Sequence, residues 1–188
     1  MKKLLLLLLA FLFVGTDIVF SQEDKKLSKK EQKKMEKAAR EAQDMLDFEA
    51  AKKALYDHNF VLEADRVEFK RGQYKYVSAN TNFVSLIGDE ASVQLAFNGM
   101  IAGPNGMGGV TVDGKPSKIE VKEDKKGNVT LNMMVNGRGI SASISARMSK
   151  GSSKCTATVS PNFNSNRISF TGTIYPAKRS NVYKGRSL

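Results

Sequence analysis

Val129-Thr-Leu-Asn-Met-Met-Val-Asn-Gly-Arg-Gly-Ile-Ser-Ala-Ser-Ile-Ser-Ala-Arg-Met148 decides the fold. The stretch holds two runs of period two, 129–135 and 139–148, around Asn136-Gly137. A period of two sends alternate side chains to opposite faces of a strand. Asn-Gly is a strong signal for a two-residue hairpin turn. The stretch therefore predicts an antiparallel hairpin with one buried face.

The same pattern extends in both directions. Upstream, strands are expected at 60–69, 74–78, 83–87, 91–97, 110–112 and 118–123, with turns at Arg71-Gly72, Gly88-Asp89 and 124–127. Asp113-Gly114 reads as a further hairpin turn. Downstream, strands are expected at 156–160 and 168–174, the last stopped by Pro176. These are about ten strands with short connections and no helix between them. Short connections force antiparallel neighbours. The expected fold is mainly β, of the α+β kind: an antiparallel meander of about ten strands forming a barrel or a sandwich.

Residues 28–57 read differently. Ser28 and Glu31 have the spacing of a capping box. Met35, Ala38, Ala42, Met45 and Leu46 recur at three- and four-residue intervals, with Ala51 and Leu55 beyond them. One apolar stripe on one helix is expected. It should dock through Met45, Leu46, Ala51 and Leu55, outside the barrel or across an opening.

The start of the chain predicts export. Met1-Lys2-Lys3 is cationic, residues 4–14 are apolar, and Val19-Phe20-Ser21 offers a small-residue cleavage site before Gln22. That is the layout of a secretory signal peptide. The apolar run is shorter than the ~20 residues that span a bilayer. The expected organisation is a signal peptide at 1–21, a charged segment and helix at 22–58, and a β domain at 59–188 with a short basic tail. A periplasmic, extracellular or outer-membrane-associated location follows. Gln22 cannot carry the lipid of a lipoprotein.

Charge and cysteine narrow the partners. The chain carries a net charge of +11. Residues 59–188 hold eighteen Lys/Arg against nine Asp/Glu, while residues 22–58 are nearly balanced. A basic surface outside the cytoplasm fits an anionic envelope polymer or glycan as neighbour. The cations are dispersed and match no nucleic-acid-binding motif, so nucleic acid is not expected. Cys155 is the only cysteine, which excludes an intrachain disulfide.

Several segments, in this order, carry a resemblance: Phe60-Val-Leu-Glu-Ala-Asp-Arg66, Ser78-Ala-Asn-Thr-Asn-Phe-Val84, Gln94-Leu-Ala-Phe-Asn-Gly99, Gly103-Pro-Asn-Gly-Met-Gly-Gly109 and Ser160-Pro-Asn-Phe-Asn-Ser-Asn166. Over roughly residues 50–188 the chain resembles domain of unknown function 4251, exported proteins and lipoproteins of Bacteroidota. The resemblance implies an envelope location and supplies no catalytic residues.

Chemistry-bearing residues are sparse. His58 is the only histidine and sits where a helix C-terminus is expected, which suits capping. Cys155 shares a strand face with Ala157 and Val159 and reads as a small buried hydrophobe. Glu63 and Asp65 lie two apart on one strand, about 7 Å between side chains. They read as a solvated face neutralised by Arg66 and Lys70 rather than a catalytic pair. The loop from Gly99 to Gly109 is glycine-rich, but no Gly-Lys-Ser/Thr ends it and a strand follows, so it is no phosphate cradle. No catalytic residue, metal ligand or cofactor is expected.

Two asparagine segments, 77–82 and 159–164, match at four of six positions. Asn suits turns, and its amide offers both donors and acceptors to a sugar. The candidate ligand residues are Asn80, Asn82, Asn162 and Asn164, with Tyr74, Tyr76 and Phe163 as stacking surfaces. Seven expected strands separate the two segments, an odd number, which predicts opposite ends of the sheet. The function expected is a non-enzymatic envelope protein that binds a ligand or supports an assembly. The alternatives are a barrel carrier of a small apolar ligand and a glycan-acting enzyme.

Overall fold

The structure, a computed structural model, describes residues 28–97, 104–163 and 165–188. The predicted signal peptide lies outside the described residues. The elements are α1 (Lys29–Tyr56), β1 (Asn59–Phe69), β2 (Tyr74–Tyr76), β3 (Phe83–Ile87), β4 (Glu90–Ala96), β5 (Gly109–Glu123), β6 (Val129–Gly137), β7 (Ile140–Met148), β8 (Lys154–Pro161) and β9 (Ile168–Pro176), then a 3-10 turn at Ala177–Arg179.

β1 and β3 to β9 pair antiparallel in chain order, and β9 pairs back to β1. The sheet closes into an eight-stranded barrel. β2 is an extra strand paired with the far end of β1, at Arg66 to Glu68. Closure removes the free edges that would otherwise invite aggregation. Alternation along the decisive hairpin fills the interior. Val129, Leu131, Met133 and Val135 of β6 are buried, as are Ile140, Ala142, Ile144, Ala146 and Met148 of β7. Each large side chain so buried contributes about 1.5–3 kcal/mol.

Among the described residues nine strands stand where about ten were expected, because 110–112 and 118–123 belong to one strand. β5 runs through Asp113-Gly114 without turning, pairing first with β4 and then with β6. Gly114 is needed for packing instead: a Cβ there would lie 2.7 Å from Val135 Cγ1. Gly137 is its counterpart, where a Cβ would lie 2.2 Å from the Asp113 carbonyl oxygen. The β6–β7 hairpin forms as predicted, but Gly137 ends β6 and pairs with Ile140. The turn itself is Arg138-Gly139, with Gly139 at φ +74°. A bulge separates Ser117 from Glu120 in the β5–β6 pairing, with Lys118 in the left-handed region. Such bulges sharpen a strand's bend.

The helix caps as predicted. Glu31 N donates to Ser28 Oγ at 3.3 Å, and Ser28 N donates to Glu31 Oε2 at 2.9 Å. Its docking register differs from the expectation. Phe48, Ala51, Ala54 and Leu55 are buried with the barrel core, whereas Met45 and Leu46 are exposed. Only the last turns meet the barrel, so the stripe that counts starts at Phe48. The helix lies against β1 and β9. Lys52 pairs with Glu123 at the end of β5 at 2.6 Å, and Met45 lies against Gly151 in the β7–β8 turn. It therefore covers the end of the barrel where β5 ends and β8 begins. No helix among the described residues is long and apolar enough to cross a membrane.

Candidate functional site

Among the described residues, the opposite end of the barrel is open. A cavity of about 180 Å³ enters it between β4, β5, β7, β8 and β9. Its walls are apolar: Val93, Leu95, Val110, Val112, Ile140, Ala142, Val159, Ile168 and Phe170 from the inner faces, with Phe163 and Leu188 at the lip. The wall exists because the inward positions of these strands carry β-branched or small residues at this level. Deeper in the barrel, Leu131, Ile144 and Met148 are large, fully buried side chains. An apolar cavity of about 150 Å³ is enough to hold benzene. This one suits an apolar group of similar size.

The C-terminal segment is a strap over the outer barrel wall, not a solvated tail. Its anchors lie on β1, the β2–β3 connection, β4 and β5 in turn. Ser180 Oγ and Asn181 N donate to Glu63 Oε1 at 2.7 and 3.1 Å. Tyr183 N donates to the Asn80 carbonyl at 2.7 Å. Lys184 Nζ pairs with Glu90 at 2.8 Å and with Asp113 at 2.9 Å. Ser187 Oγ donates to Asp113, and Leu188 N donates to the Thr111 carbonyl at 3.1 Å. The strap thus delivers Leu188 to the cavity.

Burial pushes the Asp113 carboxyl up, but hydrogen bonds from Ser187, Ser92 and Lys184 outweigh it and hold the group below its usual value. A carboxyl lowered on folding stabilises the fold above its unfolded pKa, about 3.9, and loses that contribution as pH falls through the folded value. Asp113→Asn is therefore expected to flatten the acid side of the stability–pH curve below about pH 5, as read by urea unfolding at a series of pH values.

The asparagine segments flank the same end of the barrel. With β5 unbroken, six strands rather than seven separate them, and an even number returns the chain to the same end. The side chains of Asn82 and Asn162 bond to different elements. Asn82 is 0% exposed: its Nδ2 donates to the Ser78 carbonyl at 3.0 Å, and its Oδ1 accepts from Ala96 N at 2.8 Å. Asn80 is exposed, with its carbonyl held by the strap. Asn162 is exposed and donates to Ser141 Oγ at 3.0 Å. β1 stands between β3, which follows the first segment, and β9, which follows the second. Asn164 lies outside the described residues.

The predicted aromatics divide as well. Tyr74 and Tyr76 stack edge-to-face at 5.8 Å and are exposed on β2, with the Arg66 guanidinium over the Tyr74 ring, while Phe163 lines the cavity. Glu63 and Asp65 are separated by a bulge in the β1–β9 pairing. Glu63 holds the strap, and Asp65 pairs with Lys154 at 3.5 Å rather than with Arg66 or Lys70. Lys70 reaches Ser165 instead. His58 follows the helix C-cap in the left-handed region, its N–H on the Leu55 carbonyl. Cys155 is buried in the core, and burial pushes its thiol up to about 12. No cluster of metal-ligating side chains occurs among the described residues.

Asn105 and Gln94 escaped the sequence reading. Asn105 Oδ1 accepts from Met107 N and Gly109 N at 2.9 and 3.1 Å and so shapes the loop beside the mouth. Gln94 is fully buried on the outward face of β4, beneath the strap. Only the Asn-Gly of 105–106 hinted at the first. Nothing local marks the second.

The model of a family described as a domain of unknown function (DUF4251) matches residues 42–174. Among solved structures, the chain is similar to the crystal structure of a DUF4251 family protein from Bacteroides eggerthii DSM 20697. The two are 44% identical with a TM-score of 0.65, covering 79% of this chain and 99% of that one. No curated protein matches.

Proposed function

The chain belongs to the DUF4251 family, and from that premise we propose that it is an exported envelope protein whose barrel mouth binds a small apolar group. One observation carries the reading: the apolar cavity of about 180 Å³ at the end of the barrel away from the helix. Small eight-stranded barrels are either filled by side chains or hold one ligand. Among the described residues, this barrel has large, fully buried side chains toward the helix end and a cavity at the mouth. That favours the carrier over a purely structural role. Export is supported by the cationic start, the apolar run and the small-residue site before Gln22.

One experiment tests both parts. The protein is purified from its own cells under gentle conditions and weighed by native mass spectrometry. The expected result is a chain beginning at Gln22 with a retained mass released on denaturation. Ala142 lines the cavity and is buried. Ala142→Leu is expected to fill it and abolish the added mass while the fold, checked by circular dichroism, persists. Retention of Met1 overturns export. A retained mass that survives Ala142→Leu overturns the cavity as the site.

A further inference from the structure

The turns around the mouth carry cations, and the carboxylates beside Asn136-Gly137, namely Asp89, Glu90 and Asp113, are already paired with Lys115 and Lys184. Arg138 occupies the β6–β7 turn, next to Gly139 and Ile140 of the cavity wall. Arg167 precedes Ile168 of the wall, in the same connection as Phe163. Lys70 and Arg71 stand at the tip of the β1–β2 hairpin, which Lys70 ties to that connection through Ser165 at 2.5 Å. Arg186 is two residues from Leu188. All five are exposed, and none is in an ion pair among the described residues. At the other end carboxylates are interspersed: Lys52 pairs there with Glu123, Arg147 with Asp124 and Arg179 with Asp47, while Lys125, Lys126 and Lys150 are exposed and in no ion pair among the described residues.

An apolar cavity ringed by unpaired cations selects for both halves of a molecule. The wall takes a chain, and the ring takes a charge that water would otherwise hold. Guanidinium groups present forked donors that match an oxyanion. We propose that the ligand of this mouth is an anionic amphiphile: a short alkyl chain enters the cavity, and its terminal oxyanion sits at the rim against Arg138 and Arg167. The proposal rests on the reading that the cavity binds an apolar group. The cavity admits only the end of a chain. The remaining carbons lie along Phe163 and Leu188, which carries the head out to the level of the arginines.

Isothermal titration of the protein with octanoate, octyl phosphate and octanol tests this. The three share a chain and differ in the head. At low salt, at least one of the two anions is expected to bind about tenfold tighter than octanol, the scale of one charge-assisted hydrogen bond. Which anion wins separates a carboxylate from a phosphate ligand. The preference should shrink toward unity in the Arg138→Gln/Arg167→Gln double variant, with octanol affinity unchanged. It should also fall with salt, because exposed charges are screened beyond about 8 Å at physiological ionic strength. Equal binding of all three probes overturns the inference and leaves the apolar site standing. Binding of none overturns the site itself. Sedimentation with anionic vesicles, lost in the double variant and without any preference among the free probes, makes the rim a bilayer contact and also overturns the inference.

Discussion

Gln94→Leu is expected to lower the unfolding free energy by about 3 kcal/mol and to release residues 180–188 from the barrel wall. Gln94 uses its whole amide. Its Nε2 donates to the carbonyls of Thr81 and Tyr183 at 2.9 and 2.7 Å. Its Oε1 accepts from Thr111 Oγ1 at 2.7 Å and Gly185 N at 2.8 Å. Leucine matches the volume and none of the bonds. Once the strap lifts, Tyr183 and Gly185 return to water. The Thr81 carbonyl remains behind, as does the Thr111 hydroxyl proton, whose oxygen still accepts from Asn105 Nδ2 at 3.3 Å, and each buried unsatisfied group costs about 1–3 kcal/mol. The urea midpoint reports the stability. Faster trypsin cleavage at Lys184 and Arg186 reports the release. Gln94→Glu is a second test, because it keeps the shape but turns two donors into acceptors facing two carbonyls. It should release the strap as well. If the leucine variant stays within about 0.5 kcal/mol of wild type, the strap is held by its ion pairs at Lys184 instead.

That residue also shows where the sequence stops being legible. Period-two runs located the strands, because closing a barrel requires every strand to alternate between core and outside. They could not reveal that part of the outside is buried. Ser92, Gln94 and Thr111 look like ordinary solvent positions, and the segment that covers them lies about ninety residues on in the chain. The glycine dipeptides misled for a related reason. Asp113-Gly114 and Asn136-Gly137 match hairpin chemistry, yet both glycines serve a close approach between β5 and β6, where a Cβ at Gly137 would lie 2.6 Å from Gly114 Cα. A local signal cannot separate a glycine needed for positive φ from one needed for contact. That single ambiguity split β5 in two, changed the strand count from even to odd, and sent the asparagine segments to opposite ends. The cavity was equally hidden, since its wall is drawn from five strands and the final residue. The basic excess was visible, but its gathering at the mouth depends on which turns share an end.

Phe48→Ala is expected to destabilise the fold by about 3–5 kcal/mol, the range for truncating a buried aromatic. Leu46→Ala, two residues away, should change it by less than about 0.5 kcal/mol. Phe48 is 1% exposed and belongs to the barrel core, while Leu46 is 66% exposed. On composition alone the two are comparable apolar residues of one helix. Position decides between them: residues 29–46 are all exposed, so the helix begins to bury its apolar face only at its last three turns. The difference has a functional edge. The helix closes the end of the barrel opposite the mouth, and Phe48 is the largest side chain it contributes there. Its removal opens the filled end as well as weakening the core. Thermal unfolding of the two variants, run side by side, measures the first effect. Titration with octanol measures the second: Phe48→Ala should weaken binding or add a second site, and Leu46→Ala should do neither. Equal losses from both substitutions would mean that the helix docks along its whole apolar stripe, with Met45 and Leu46 packed, and that the register seen here is wrong.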